Sequence, residues 1–329
     1  METGEAFRFA AVEKNMRFFS LLCLVVLALS NAAAADPAAE LASFSVFNNV
    51  NVADLAKAEP KMAHGPALSG SFISAQSCFV VAGPPARVSD ALRQWNPARH
   101  SELKVMIHSD GANFSRLSSA PDNGAVRSLV SSTVKLSTDL QISKAEEKLF
   151  AGLTGDRMAG PIAAAWANLL SARARAGRSG QPPYDHTGQN VRPSDELNGL
   201  LRANDKVAGK FSGILSGGGE PFWELLTADE KGVLTLGASF RRSGSNGTYQ
   251  AADALYYASG GYYAGLTLYQ MWPVDIGGKP ATLVWRGDFI SSAEVAGLHG
   301  IERVASESAM MRDISKAVSL FRRDTGAVR

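Results

Sequence analysis

The chain has 329 residues, 46% of them hydrophobic and 19% charged, with a formal net charge of +2. That composition is globular and not disordered, and so small a net charge weighs against general nucleic-acid binding. The length is enough to bury a full core, as one large domain or two modest ones.

Residues 1–35 read as a segment that precedes the folded protein. Arg17 stands before an apolar run from Phe18 to Leu29, broken only by Ser20, and Ala32 to Ala35 follow it. A basic residue, a short apolar core and an Ala-x-Ala site make a secretory signal peptide. The run is too short to span a bilayer. Met16 is the more natural start, with residues 1–15 an over-extended reading of the gene. Cys23 lies inside the run and not at its end, which argues against lipoprotein attachment. The expectation is cleavage after Ala35 and a periplasmic or extracellular protein without a transmembrane span. Cys78 is then the one remaining cysteine, so there is no internal disulfide framework. It sits in the strand-like run SFISAQSCFVV, where a small core residue is its simplest role.

The next segment, residues 36–66, is rich in alanine and asparagine and reads as a lead-in with little structure of its own. Residues 67–215 read as a mixed α/β region with a helical second half. Ser71–Val81 is a strand stopped by Gly83-Pro84-Pro85, Ser89–Trp95 a short helix, and Leu103–Ile107 a second strand leading into His108-Ser109-Asp110-Gly111. Val126, Leu129, Val130 and Val134 recur at near-helical spacing. Ser143-Lys144-Ala145-Glu146 is a capping-box pattern that should open a helix. Gly160-Pro161 starts another, with Ile162, Trp166, Leu169, Leu170 and Arg173 on one side and Pro161 in the first turn. Arg173, Arg175 and Arg178 gather near its end, facing the negative end of the helix dipole. A further helix spans Asp195–Asn204, and Gly217-Gly218-Gly219 marks a boundary.

Residues 216–329 hold the clearest pattern. Four consecutive strands form a meander between Val233 and Ile290. In three of them the residues alternate: Leu234, Leu236 and Phe240 oppose Thr235, Ser239 and Arg241. Likewise Ala264, Leu266 and Leu268 oppose Tyr263, Thr267 and Tyr269, and Leu283, Trp285 and Phe289 oppose Thr282, Arg286 and Asp288. This is an antiparallel sheet packed on one side. The second strand is less regular, because Tyr256 and Tyr257 are adjacent and Asp253 interrupts it. Asn246-Gly247 signals a hairpin, Gly260-Gly261 a second turn, and residues 275–280 a longer connection with Pro273 and Pro280 just outside the strands. Along Ile301–Arg323, Ile301, Val304, Met311, Ile314, Val318 and Phe321 trace one apolar stripe. That helix is expected to cover the sheet's apolar face. The fold class is therefore α+β: a C-terminal meander of about four strands covered by a C-terminal amphipathic helix, after a mainly helical middle.

Chemistry is sparse. The chain has no HExxH, Gly-x-Ser-x-Gly, Walker loop, Rossmann glycine fingerprint or CxxC pair, and its five histidines show no metal-ligand spacing. No cofactor and no metal are implied. His108 with Asp110, at a strand end, and His186 beside Asp185 are the only acid–base candidates. Tyr263, Thr267, Tyr269, Arg286 and Asp288 project from the meander's polar face, where aromatic rings beside a guanidinium suit a sugar, a peptide or a carboxylate. The reading that follows is an exported, non-catalytic envelope protein that binds a ligand or partner through this face. The alternatives are an exported hydrolase using His108 and Asp110 or His186, and a structural or assembly component of the envelope.

Overall fold

A computed structural model describes residues 36–66, 68 and 70–326 of the chain. Residues 1–35, the expected signal peptide with Cys23, lie outside the described residues. The lead-in proves more ordered than its composition suggests. It forms helices α1 (Pro37–Phe44) and α2 (Val52–Lys57) and a short strand β1 (Lys61–His64). Asn51 caps α2, its side chain accepting from the Ala53 and Asp54 N–H groups at 3.0 and 3.2 Å. Burial is the cause. Leu41, Phe44, Phe47, Val50 and Leu55 are all buried, and Phe44 stands edge-on to Trp285 at 5.0 Å. Each such side chain removed from water contributes roughly 1.5–3 kcal/mol, which outweighs the segment's weak local signals.

Strand β2 (Phe72–Ala82), helix α3 (Pro85–Gln94) and strand β3 (Val105–Asp110) follow. His108 and Asp110 therefore lie on a strand and not in a loop beyond it. The middle region supplies α4 (Gly124–Lys135), α5 (Gly160–Ala176), α6 (Pro193–Arg202) and α7 (Asp205–Lys210). Ser143–Glu146 opens no α-helix. Glu146 does accept from the Ser143 N–H and hydroxyl at 2.7 and 2.9 Å. It also binds the guanidinium of Arg173 through both oxygens, at 2.9 and 2.6 Å. Arg173 is fully buried and lies 4.3 Å from the centroid of the Tyr257 ring. Its charge is matched by this carboxylate inside the core and not by the end of its own helix.

Five strands then run as a meander: β4 (Glu220–Ala228), β5 (Lys231–Ser243), β6 (Tyr249–Ala258), β7 (Ala264–Ile276) and β8 (Lys279–Ser291). The four expected strands are β5 to β8. They belong to a larger sheet of eight, in the order β1-β2-β8-β7-β6-β5-β4-β3, with every pairing antiparallel. The class is α+β, as the sequence indicates, and the four expected meander strands are half of one eight-stranded sheet. The β7–β8 connection is a two-residue turn at Gly277 and Gly278, both at positive φ (61° and 80°). Such a turn lets pairing continue to the end of both strands, so Pro273 and Pro280 fall within strands, opposite Thr282 and Asp275. The chain closes with α8 (Ala293–Ala296) and the long helix α9 (Gly300–Thr325).

The sheet is covered on both faces. Leu234, Leu236, Leu266, Leu268, Leu283, Trp285 and Phe289 join the larger core cluster, where α6 lies across β6, β7 and β8 and α4 packs on β5. Helix α9 covers the other face, which corrects the expected placement. Ile314, Val318 and Phe321 pack with Ala75, Phe79 and Val81 of β2 and with Tyr269, Met271 and Val284. The reason lies in β2, where Cys78 and Val80 serve the larger core while Ala75, Phe79 and Val81 serve the smaller one. A strand apolar on both faces needs cover on both. Burial pushes the Cys78 thiol up to about 12, so it is inert packing. Ile301 and Val304, at the front of the α9 stripe, remain exposed.

The two outer strands are β1 and β3. The first has four residues, with Lys61 and His64 exposed at its ends. The second shifts register between Val105 and Ile107. Among the described residues no helix is long and apolar enough to cross a membrane.

Trp285 tests the assignment of faces. It is fully buried, and its indole N–H donates to Gln76 Oε1 at 3.0 Å. Trp285→Ala should lower unfolding free energy by about 3–5 kcal/mol, read by chemical denaturation. A loss below about 1 kcal/mol places this face outside the core.

Candidate functional site

Directly paired residues of an antiparallel sheet share a face, so the register places side chains in rows across the strands. On the α9 face, Glu220, Ser239, Asp253, Thr267 and Asp288 stand opposite one another in turn, one from each of β4 to β8. A second row runs beside it: Phe222, Gly237, Leu255, Gly265 and Ile290. A third holds Arg241, Ala251, Tyr269 and Arg286. Toward α3 and α9 the face is sealed, with Ala251, Tyr269, Met271 and Val284 buried. Ser239, Asp253, Leu255, Gly265, Thr267 and Ile290 are only half-buried. Solvent thus reaches the first two rows, a polar line beside an apolar one.

The floor of the apolar row is thin. Gly237 carries the Phe222 ring across its own backbone, and a Cβ there would come within 2.5 Å of Phe222 Cζ. Glycine is required by that approach. Phe222 in turn stacks on His108 with ring centroids 6.2 Å apart. Gly265 stands on the other side of Leu255, where a Cβ would meet Leu255 Cβ at 3.5 Å and the Phe289 carbonyl oxygen at 4.0 Å, both ordinary contacts.

The polar row is bonded in two groups. The Ser239 hydroxyl donates to Asp253 Oδ1 at 2.5 Å. The Thr267 hydroxyl donates to Asp288 Oδ1 at 3.0 Å, and Arg286 grips Asp288 through Nε and Nη2 at 2.8 and 2.7 Å. Arg286 also lies 5.5 Å from the centroid of the Tyr269 ring. On β3, beyond the apolar row, His108 Nδ1 meets Glu224 at 2.8 Å, and its Nε2 lies 3.6 Å from Asp110.

These neighbours set the titration of the site. Burial pushes the Asp253 carboxyl above its ordinary value, helped by the charges of Glu224 and Asp288; the Ser239 hydrogen bond and Arg286 pull the other way and do not prevail. Burial opposes the charged form of His108, yet the hydrogen bond and charge of Glu224, with Asp110 and Asp253 behind it, raise its pKa. Burial likewise raises the Tyr269 phenol, so that ring is an uncharged surface.

Of the five residues singled out on the meander's polar face, four come together here: Thr267, Tyr269, Arg286 and Asp288. Tyr263 does not. It precedes β7, escapes the alternation of the strand, and stacks on Tyr184 at 6.3 Å on the side of the larger core. His108 and Asp110 share the α9 face with the row. His186 lies elsewhere, with Nδ1 on Glu147 at 2.8 Å and Nε2 on the Leu136 carbonyl at 3.1 Å. Neither nitrogen is free to act as a base. His186 and Tyr263 both line a cavity of about 250 Å³ beside Lys231 and Asp139, and a more open concavity of about 500 Å³ lies at Lys104 and Thr227. Both lie away from the row.

Sequence reasoning missed Asp253, Ser239, Glu224, Phe222 and Leu255. The irregularity of β6 hid Asp253. The pairing of β5 with β6 shifts at Leu236 and Gly237 and leaves Tyr256 as an extra residue, which breaks strict alternation where it would have been read. Among the described residues no group of three His, Cys, Asp or Glu side chains is placed to hold a metal ion.

No protein-family model matches the chain, and no curated protein does. The chain is similar to the solved structure described as the crystal structure of Ara h 8.0201, at 13% identity and a TM-score of 0.21, over 41% of this chain and 91% of that one. A likeness of that depth carries no argument.

Two measurements check the electrostatics. Because folding raises the His108 pKa, its pairing stabilises fully below the unfolded value and is lost as pH rises through the folded one. Glu224→Gln should therefore cost on the order of 1 kcal/mol in mild acid and less in mild alkali; thermal unfolding at both reads it, and an equal cost refutes it. Asp253 works in reverse. Its raised pKa means that ionisation destabilises the fold as pH climbs from the ordinary aspartate range. Asp253→Asn should raise Tm at neutral pH, with the gain shrinking toward acid; a lowered Tm at neutral pH contradicts the assignment.

Proposed function

We propose that the chain is an exported, non-catalytic protein that holds a small ligand against the α9 face of its sheet. The carrying observation is the half-buried pair of rows, Ser239–Asp253–Thr267 beside Leu255–Gly265–Ile290. Binding sites combine an apolar surface with a few placed polar groups, and this groove has both. Toward α3 and α9 the buried Ala251, Tyr269, Met271 and Val284 close one end of this face. Export, to the periplasm or the exterior, is supported by Arg17, the Phe18–Leu29 run and the Ala33–Ala35 site.

The hydrolase alternative draws less support. A general base must be neutral at the working pH and have a nitrogen to offer. His108 is held toward its charged form between Glu224 and Asp110, and His186 is fully engaged.

Gly265→Val tests the groove. The position accommodates a Cβ, and a β-branched residue suits a strand, so the variant should fold with little change in Tm. Its side chain fills the floor beside Leu255. Wild type and variant are screened by thermal shift against monosaccharides, amino acids, amines and short peptides of envelope origin. Compounds that stabilise the wild type should lose about tenfold or more in affinity on the variant. Undiminished binding moves the site elsewhere, and a wild type that binds nothing favours the structural-component reading.

A further inference from the structure

We infer that the groove takes a ligand bearing a cationic nitrogen, a primary ammonium on a small apolar body, seated on the carboxylate of Asp253. The inference rests on the groove reading above and goes further by naming the ligand's chemistry.

The charges on the α9 face decide the matter. Arg286 is committed to Asp288, with two donors on one carboxylate, and its flat side is turned to Tyr269. It has little left for an anion. His108 sits between Glu224 and Asp110. The Thr267 hydroxyl, directly opposite Asp253, gives its proton to Asp288. Asp253 is left with a single neutral partner, the Ser239 hydroxyl on Oδ1. Among the described residues no ion pair and no hydrogen bond reaches its Oδ2. A half-buried carboxylate in this state is met by water, by a proton or by a cation. An ammonium restores the charge and supplies the missing donor together.

The neighbouring row defines the rest of the ligand. Gly237, Leu255 and Gly265 stand next to Ser239, Asp253 and Thr267, respectively, along their strands, with Phe222 at one end. This floor is apolar and thin enough for a small ring or alkyl chain. An arrangement with a matched arginine, an unmatched aspartate and an apolar floor selects against carboxylates, which meet Asp253 and Asp288 without a free cation to receive them.

Three near-isosteric probes separate the possibilities: phenethylammonium, phenethyl alcohol and phenylacetate, titrated by calorimetry into the full-length wild type near neutral pH. The ammonium should bind at least about tenfold more tightly than the alcohol, and phenylacetate should be the weakest. Asp253→Asn should bring ammonium affinity down to that of the alcohol and keep a Tm at or above that of the wild type. Equal affinity for ammonium and alcohol overturns the inference, as do unaltered ammonium binding by Asp253→Asn and a wild type that binds no ammonium. Gly265→Val separates this failure from that of the groove. If all three probes bind alike and Gly265→Val abolishes them, the cation preference falls and the groove stands. Ammonium binding that survives Gly265→Val removes the groove and the inference together.

Discussion

Ser239, Asp253, Thr267 and Asp288 face one another because β5 to β8 pair residue against residue at this level of the sheet. Side chains alternate with a period of two, so a slip of one residue in any pairing would turn a whole strand over. Asp253 would then enter the larger core, and Leu266 or Phe289 would meet solvent. Burial on both faces opposes such a slip, since Leu266 and Phe289 are sealed on one side and Met271 and Val284 on the other. The polar row is held in place by the cores above and below it more than by its own hydrogen bonds.

The same double burial explains what could be read in advance. The meander was legible because Leu266 and Leu268, or Leu283, Trp285 and Phe289, alternate with polar residues and Asn246-Gly247 marks a turn. The class followed from that, as did four of the five side chains on the polar face. The placement of α9 did not follow. Its stripe could have served either face, and the deciding information lay in β2, more than 200 residues away in sequence, where Ala75, Phe79 and Val81 needed cover. The lead-in was illegible for a similar reason. Phe44 and Leu55 carry little local signal. Phe44 finds its place against Trp272 of β7 and Trp285 of β8, and the helix of Leu55 packs on β2. Trp272 also donates its indole N–H to Glu40 of α1 at 2.8 Å.

Asp253 shows how an irregular strand conceals a functional group. Its neighbour Tyr256 is an extra residue in the β5–β6 pairing, so β6 changes phase part-way along. Read alone, the strand has a carboxylate that interrupts it and two adjacent tyrosines. Read with its partners, the carboxylate stands at the centre of a continuous row. Bulges re-aim side chains near binding surfaces, and this one allows Tyr257 to reach Arg173 on the larger core while Asp253 stays on the opposite face. The buried pair of Arg173 and Glu146 belongs to the same economy. Removing either partner would strand a charge in the core, at a cost of roughly 3–5 kcal/mol.

An open sheet of eight strands has two edges, and each is a template on which another chain's strand could grow. In this protein both are blunted. β1 offers only four residues, with Lys61 and His64 exposed at its ends. β3 breaks its own register between Val105 and Ile107, so a foreign strand docked there could not keep its hydrogen bonds in step along the edge. The fold is therefore protected against runaway pairing of one copy with the next at high local concentration. That protection comes from the geometry of its outermost strands and not from the charge of the chain, which is close to neutral.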